Sequence, residues 1–201
     1  MNEAEIVEFM RQMAEKSGEL ILPYFANPKL IVETKSDHSL VTAADRDAEN
    51  LMRHLIAESY PDHGIVGEEF GSENPDARFV WILDPIDGTR SFVAGCPLFG
   101  TLICLTEYGQ PILGAIHSPV TDQFLLGNNQ ETRLNGVPVR MRSTGALGDA
   151  GLLASNPHTP RELQDPNGWD ALLEKTGEFY TWGDCYGYLL LAIGGADIMV
   201  D

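Results

Sequence analysis

The stretch WILDPIDGTRSF, residues 81–92, sets Asp84 and Asp87 three positions apart around Pro85, directly after an apolar run. Two carboxylates so close repel each other unless a proton or a cation lies between them, and hard divalent ions such as Mg2+ prefer such oxygen ligands. Pro85 restrains Asp84 to extended backbone and fixes its own φ, which stiffens the turn carrying Asp87. Gly88 allows close approach to the backbone, and Thr89 adds a hydroxyl that could orient a water or bind an oxyanion. Upstream, GEEFG at 67–71 offers Glu68 and Glu69 after another short apolar run. Together these acids could hold two or more metals. Such a site suits phosphoryl transfer, because one ion activates water while another stabilises the leaving oxygen. Each part has a blander reading when taken alone. DPxDG also makes a turn, paired glutamates are usually solvated, Asp45 suits a helix first turn, and Lys35 suits an exposed loop. The combination in this order carries the signal.

The elements that must position these residues are legible from periodicity. Ile6, Phe9, Met10, Met13, Leu20 and Ile21 recur at helical spacing and predict an amphipathic helix ending near Pro23. The segment from Lys35 reads as a loop feeding a second helix, with Thr42 as N-cap, Asp45 in the first turn, and Ala48, Leu51, Met52, Leu55 and Ile56 as the buried stripe. From Ile65 the texture changes to strand-like runs, IVG, FVWIL, FGTLICLT, PILGAIHSP and QFLLG, broken by Gly, Pro, Asn and Asp. LNGVPVRMR adds an Asn-Gly turn followed by alternating Val137, Val139 and Met141. These runs predict a large, mostly antiparallel sheet. Phe79–Leu83 is too apolar for a surface strand, so Asp84 is expected to emerge at its C-terminal end, where sites form in layered α/β proteins. A weaker boundary near 143–150 divides an N-terminal α+β part, 1–143, from a partial C-terminal α/β part, 144–201. In the latter, GLLAS reads as a buried strand and LLLAIGGADIMV as a helix running into a strand.

The bulk properties narrow the partners. Thirteen Lys and Arg against thirty Asp and Glu give a net charge of −17 across 201 residues, which argues against nucleic acid and anionic membranes as partners. An anionic small substrate stays possible if bound cations invert the local field. Cys96, Cys104 and Cys185 are odd in number and lack CxxC spacing, so neither a disulfide framework nor a structural zinc is indicated, and a reducing cytoplasm fits best. The N-terminal stretch mixes acids into its apolar stripe, unlike a signal peptide, and no run reaches membrane-spanning length.

VTAAD (41–45), GEE (67–69) and WILDPIDGTRSF (81–92) resemble, in order and spacing, the inositol monophosphatase-like superfamily of Mg2+-dependent, lithium-sensitive phosphatases, and the resemblance covers essentially the whole chain. It implies an α+β fold, the layered αβαβα sandwich shared with fructose-1,6-bisphosphatases, and a homodimer. Carried over by position, Glu68, Asp84, the main-chain carbonyl of Ile86 and Asp87 look like metal ligands for two or three Mg2+ ions. Asp45 and Thr89 look like the pair that orients and deprotonates the attacking water, and Lys35 matches a lysine on the metal-site loop. The backbone of Asp87, Gly88 and Thr89 would approach the phosphate oxygens.

The substrate signals are thinner. Thr89-Arg90-Ser91-Phe92 departs from the Thr-Thr-Asn-Phe of the inositol-selective branch, whereas WGDCYGYLLLAIGGADIMVD resembles the histidinol-phosphate phosphatase branch. Asp184 would favour the ammonium and imidazole of histidinol phosphate over a neutral polyol; its alternative role is to cap the helix starting near Cys185. Cys185 reads as buried packing and His117 as a hydrogen-bonded core residue, while Trp182, Tyr186 and Tyr188 suit either a pocket wall or the core. The chain stops in an apolar strand at Asp201, which reads as a shortened chain. The Trp-Asp motif that completes the second metal site in the family lies beyond that point, so weak activity is expected of the chain as it stands. The expectation is a phosphomonoesterase for L-histidinol phosphate, with inositol-1-phosphate as the alternative substrate. A catalytically impaired metal-binding or dimerisation subunit is the alternative of a different class.

Overall fold

The computed structural model describes residues 2–36 and 40–201; residues 37–39 of the loop expected after Lys35 lie outside them. Helix α1 (Glu3–Ile21) starts at Asn2, whose side chain accepts the Ala4 N–H, and buries Ile6, Met10, Met13, Ala14 and Ile21 along one stripe. It gives way to a 3-10 turn at Leu22–Tyr24 that contains Pro23. Strands β1 (Val32–Thr34) and β2 (Leu40–Thr42) then pair antiparallel, so that part of the segment from Lys35 expected as a loop is strand. Helix α2 (Ala43–Ser59) follows at once. Thr42 and Asp45 form a reciprocal capping box at its start, each satisfying a backbone N–H that the first turn leaves orphaned.

The large sheet holds β3 (Gly64–Gly67), β4 (Gly71–Glu73), β5 (Phe79–Asp87), β6 (Gly100–Glu107), β7 (Gln110–Ser118), β8 (Gln123–Asn128), β9 (Thr132–Leu134) and β10 (Val137–Val139), in the order β10-β9-β8-β7-β6-β5-β3-β4. Only the β3–β5 pair is parallel. The hairpin turns at Tyr108-Gly109 and Asn135-Gly136 take positive φ at both residues, the geometry that matches strand twist. One face of the sheet packs on α1 and α2 through Ile6, Met10, Met13, Met52, Ile56, Trp81, Leu83, Ile103 and Leu105. Burying each such large apolar side chain contributes roughly 1.5–3 kcal/mol. Trp81 is wholly buried, and its indole N–H donates to His63 Nδ1 at 3.1 Å.

A second, parallel sheet has β11 (Gly151–Ala154) at its centre, with β12 (Glu178–Tyr180) and β13 (Ile198–Val200) on either side. Between them in sequence lie α4 (Thr159–Leu163), α5 (Pro166–Lys175) and α6 (Asp184–Ala192). Trp169 of α5 covers Leu152, Ala154 and Phe179 on the outer face. On the inner face α6 packs between the sheets, against β6 and β7 on one side and β11 and β13 on the other. The layers therefore run α1/α2, large sheet, α6, small sheet, α5, which is the expected sandwich. Not every apolar residue of β5 is covered: Ile82 stays 44% exposed in a groove it shares with Leu102, Cys104 and Ile116. All three cysteines are free thiols, and among the described residues no helix is long and apolar enough to cross a membrane.

Candidate active site

The C-terminal end of β5 bends where Pro85 and Ile86 break its register with β6, between the pairs Asp84–Leu102 and Asp87–Gly100. A proline has no N–H for the ladder, so a bulge is where a sheet tolerates one. The loose backbone is tied down locally. Thr101 donates to the Pro85 carbonyl at 2.8 Å, the Ile86 N–H donates to Asp84 Oδ1 at 3.1 Å, and the Ile86 side chain is buried beside Phe92 and Phe99. Gly88 then takes φ +88°, and a side chain there would meet the Leu98 carbonyl at 3.0 Å and Asp184 Oδ2 at 3.1 Å. The short helix α3 (Thr89–Ala94, counted between β5 and β6) was not anticipated from sequence. It sets Thr89 so that its hydroxyl donates to the Ile86 carbonyl at 3.1 Å.

The acids do crowd one another. Burial, Glu68 and Asp87 push the Asp84 carboxyl up to about 9, and burial with the Asp184 charge pushes Asp87 up to about 6, against the pull of the Cys185 N–H. Lys35 Nζ bridges Glu68 at 2.7 Å and Glu69 at 2.5 Å; burial disfavours its ammonium, yet the two acids hold its pKa above the usual lysine value. Asp45 is buried, which raises its pKa, and its Oδ2 accepts both the N–H and the hydroxyl of Thr42. Among the described residues no direct hydrogen bond joins Asp45 to Thr89. Nor do three acid, His or Cys side chains converge closely enough to cage one ion. Each acid has a partner of its own besides its neighbours: Glu68 meets Lys35, Asp84 the Ile86 N–H, and Asp87 the Cys185 N–H. The donor set nevertheless fits a hard divalent cation, because neighbouring oxygen-only ligands repel one another without one.

Helix α6 closes the site from the second sheet. The Cys185 N–H donates to Asp87 Oδ2, and Cys185 Sγ lies 3.7 Å from the Asp87 carbonyl. Cys185 is 1% exposed, as expected for packing. Asp184 does not cap the helix: Gly183 is the N-cap residue, with no side-chain bond. The Asp184 carboxylate instead stands over Gly88. Tyr186 donates to Gln123 at 3.0 Å, whereas Trp182 and Tyr188 stay 45% and 46% exposed, so those two are not core.

The sequence profile of the inositol monophosphatase family matches residues 2–201. The chain belongs to that family. A relative named bifunctional phosphatase IMPL2, chloroplastic, from Arabidopsis thaliana is 41% identical over 192 residues, covering 94% of this chain and 55% of that protein. The histidinol-phosphatase of Chlorobaculum parvum is 37% identical over 191 residues, covering 94% of this chain and 74% of that one. A solved structure of an inositol monophosphatase from Zymomonas mobilis superposes with a TM-score of 0.85 at 38% identity, covering 100% of this chain and 78% of that one. The chain thus spans a little over half of the plant relative and about three quarters of the other two.

In this inositol monophosphatase family member, sequence reasoning missed a buried acid that shapes the site. Glu49 of α2 is 0% exposed and accepts the N–H of Glu69 at 2.7 Å, that of Phe70 at 3.2 Å and Arg53 Nε at 2.8 Å. It thereby anchors the turn that presents Glu68. The only sequence signal was its i,i+4 spacing to Arg53, which also describes an exposed surface pair. His117 is a buried core residue, as expected; burial lowers its pKa against a hydrogen bond to the Ala14 backbone, while its Nδ1 has no hydrogen-bond partner among the described residues.

Proposed function

We propose that this protein is a Mg2+-dependent phosphomonoesterase that hydrolyses L-histidinol phosphate to L-histidinol and phosphate. The observation that carries the substrate choice is the Asp184 carboxylate, held over Gly88 beside the Asp84–Asp87 turn. An ester whose phosphate lies along the Asp87–Thr89 backbone would bring a neighbouring ammonium to that carboxylate, and a charge-assisted bond there rejects a neutral alcohol. The histidinol-phosphatase of C. parvum, at 37% identity, supports the same reading.

Glu68, Asp84, the Ile86 carbonyl and Asp87 are the residues to hold Mg2+, which when bound neutralises phosphate charge and makes water easier to deprotonate. The chain's own groups do the rest. The Thr89 hydroxyl commits its proton to the Ile86 carbonyl, so its free lone pairs accept a hydrogen bond from the attacking water and orient it. Thr42 fixes one oxygen of Asp45, leaving the other to take the water's proton. Gly88, having no side chain, lets the backbone reach the phosphate. Lys35 neutralises Glu68 and Glu69 until the site fills.

Inositol-1-phosphate is the second reading, favoured by the 38% identity to the Z. mobilis inositol monophosphatase. Phosphate release with Mg2+ from the two esters, side by side, tests the choice. Higher kcat/KM for histidinol phosphate is the expected result. A preference for the inositol ester would remove Asp184 as selector while leaving the metal chemistry in place.

A further inference from the structure

Asp184 pays for its place with backbone strain. It adopts φ +51°, the left-handed region that a residue with a side chain enters at a cost of about 1–2 kcal/mol, and it does so at the first position of α6. Strain of this kind persists only where surrounding contacts impose it. The contact that does so here comes from Ser155, the residue directly after β11. Ser155 Oγ accepts the Asp184 N–H at 2.7 Å. Burial raises the pKa of the Asp184 carboxyl, and the nearby Ser155 hydroxyl opposes that rise. One side chain therefore holds the backbone of Asp184 and lies beside its head group. The approach is close enough to dictate the preceding residue: a Cβ on Gly183 would fall 2.2 Å from Ser155 Cα, so only glycine fits.

The position in the fold is consistent with this role. β11 is the central strand of the small parallel sheet, its neighbours β12 and β13 lie on opposite sides, and α5 and α6 cover opposite faces. Its C-terminal end is a switch point, where the chain leaves a crevice that a polar side chain can reach into. Immediately beyond the strained residue, the Cys185 N–H donates to Asp87. Ser155 thus connects the small sheet to the turn that carries the site's acids.

We infer that Ser155 is a positioning residue that holds Asp184 in its strained conformation, with its carboxylate over Gly88, and thereby sets the protein's selectivity for esters bearing a cationic group. The inference deepens the histidinol-phosphate reading and, for its selectivity part, rests on it.

The test is Ser155→Ala, read in two ways. By amide hydrogen exchange, the Asp184 N–H should exchange about tenfold faster once its acceptor is gone, while Leu152 and Leu153 in β11 keep their protection. By kinetics, KM for L-histidinol phosphate should rise about tenfold with kcat nearly unchanged, and KM for inositol-1-phosphate should not move. In an Asp184→Ala background, adding Ser155→Ala should change neither value, because the serine acts through the aspartate. Unchanged exchange at Asp184 would overturn the inference, as would an equal rise in KM for both esters. Failure of the underlying substrate reading is separately visible. There the wild-type protein would itself show no preference for the amine-bearing ester, and faster exchange at Asp184 would still establish the positioning role.

Discussion

Asp84 concentrates the electrostatic tension of the site. Its carboxyl is pushed up to about 9 by burial, Glu68 and Asp87, so the ion-free protein carries a mutual repulsion that a divalent cation would turn into attraction. Asp84→Asn should therefore raise the melting temperature in chelator yet abolish the further rise that Mg2+ gives the wild type. Mg2+-dependent phosphate release should fall about 10²- to 10³-fold, the range for losing one electrostatic catalytic group. Wild-type-like turnover in that variant would refute the metal-ligand assignment. Glu49 is the opposite case, a buried charge with every partner in place. Replacing it by Ala leaves two N–H groups and Arg53 Nε without their acceptor, which should destabilise the fold by roughly 3 kcal/mol in urea titration. Glu49→Gln keeps one acceptor and should cost less.

At the scale of elements, the capping box that starts α2 also seats a candidate catalytic group, because Asp45 is its third helical residue. Thr42→Ala should cost about 1 kcal/mol of stability through the lost cap. It should also lower kcat more than it raises KM, since it frees Asp45 from its anchor without touching substrate. Equal effects on the two constants would count against Asp45 as the proton acceptor. The Thr42 cap with Asp45 in the first turn, the apolar stripes of α1 and α2, and the Asn135-Gly136 hairpin were legible because each is a short-range pattern of a few residue types. The β1–β2 pair was not, because Val32–Thr34 is three exposed residues whose partners lie further along the chain. Helices α4 and α5 escaped because Pro160, Pro166 and Gly168 interrupt any apolar period. The acids of the site were readable as a set along the chain. Their present partners were not, since the Glu49–Glu69 and Asp87–Cys185 bonds bridge segments that no local pattern relates.

For the whole molecule, the question is what holds two sheets in one sandwich. Besides α6, a polar clasp does so: Asp197, just before β13, accepts from Arg142 Nε at 2.7 Å, from the Gly151 N–H at 2.7 Å and from the Thr144 hydroxyl. Arg142 and these bonds hold the Asp197 carboxyl far below the usual carboxylate range. A depressed folded-state pKa stabilises above the unfolded value near 4, and that contribution is lost as pH falls below it. Asp197→Asn should therefore cost about 1–2 kcal/mol at pH 7, reduced by solvent screening of the half-exposed Arg142, and the gap to wild type should narrow steadily below pH 4. A gap independent of pH would show that shape rather than charge matters at the clasp. The bond from Cys185 to Asp87 has a further consequence, for biogenesis. Its partners are 98 positions apart, so a chain synthesised from its N-terminus completes the acidic turn of β5 well before α6 exists to meet it. Joining distant segments carries a loop-closure entropy that must be met before the contact is rewarded. The full hydrogen bonding of the acidic turn is thus a late event in the life of each molecule, reached only when the second sheet docks, and a ribosome-bound nascent chain ending before residue 184 presents its acids without the amide that holds Asp87.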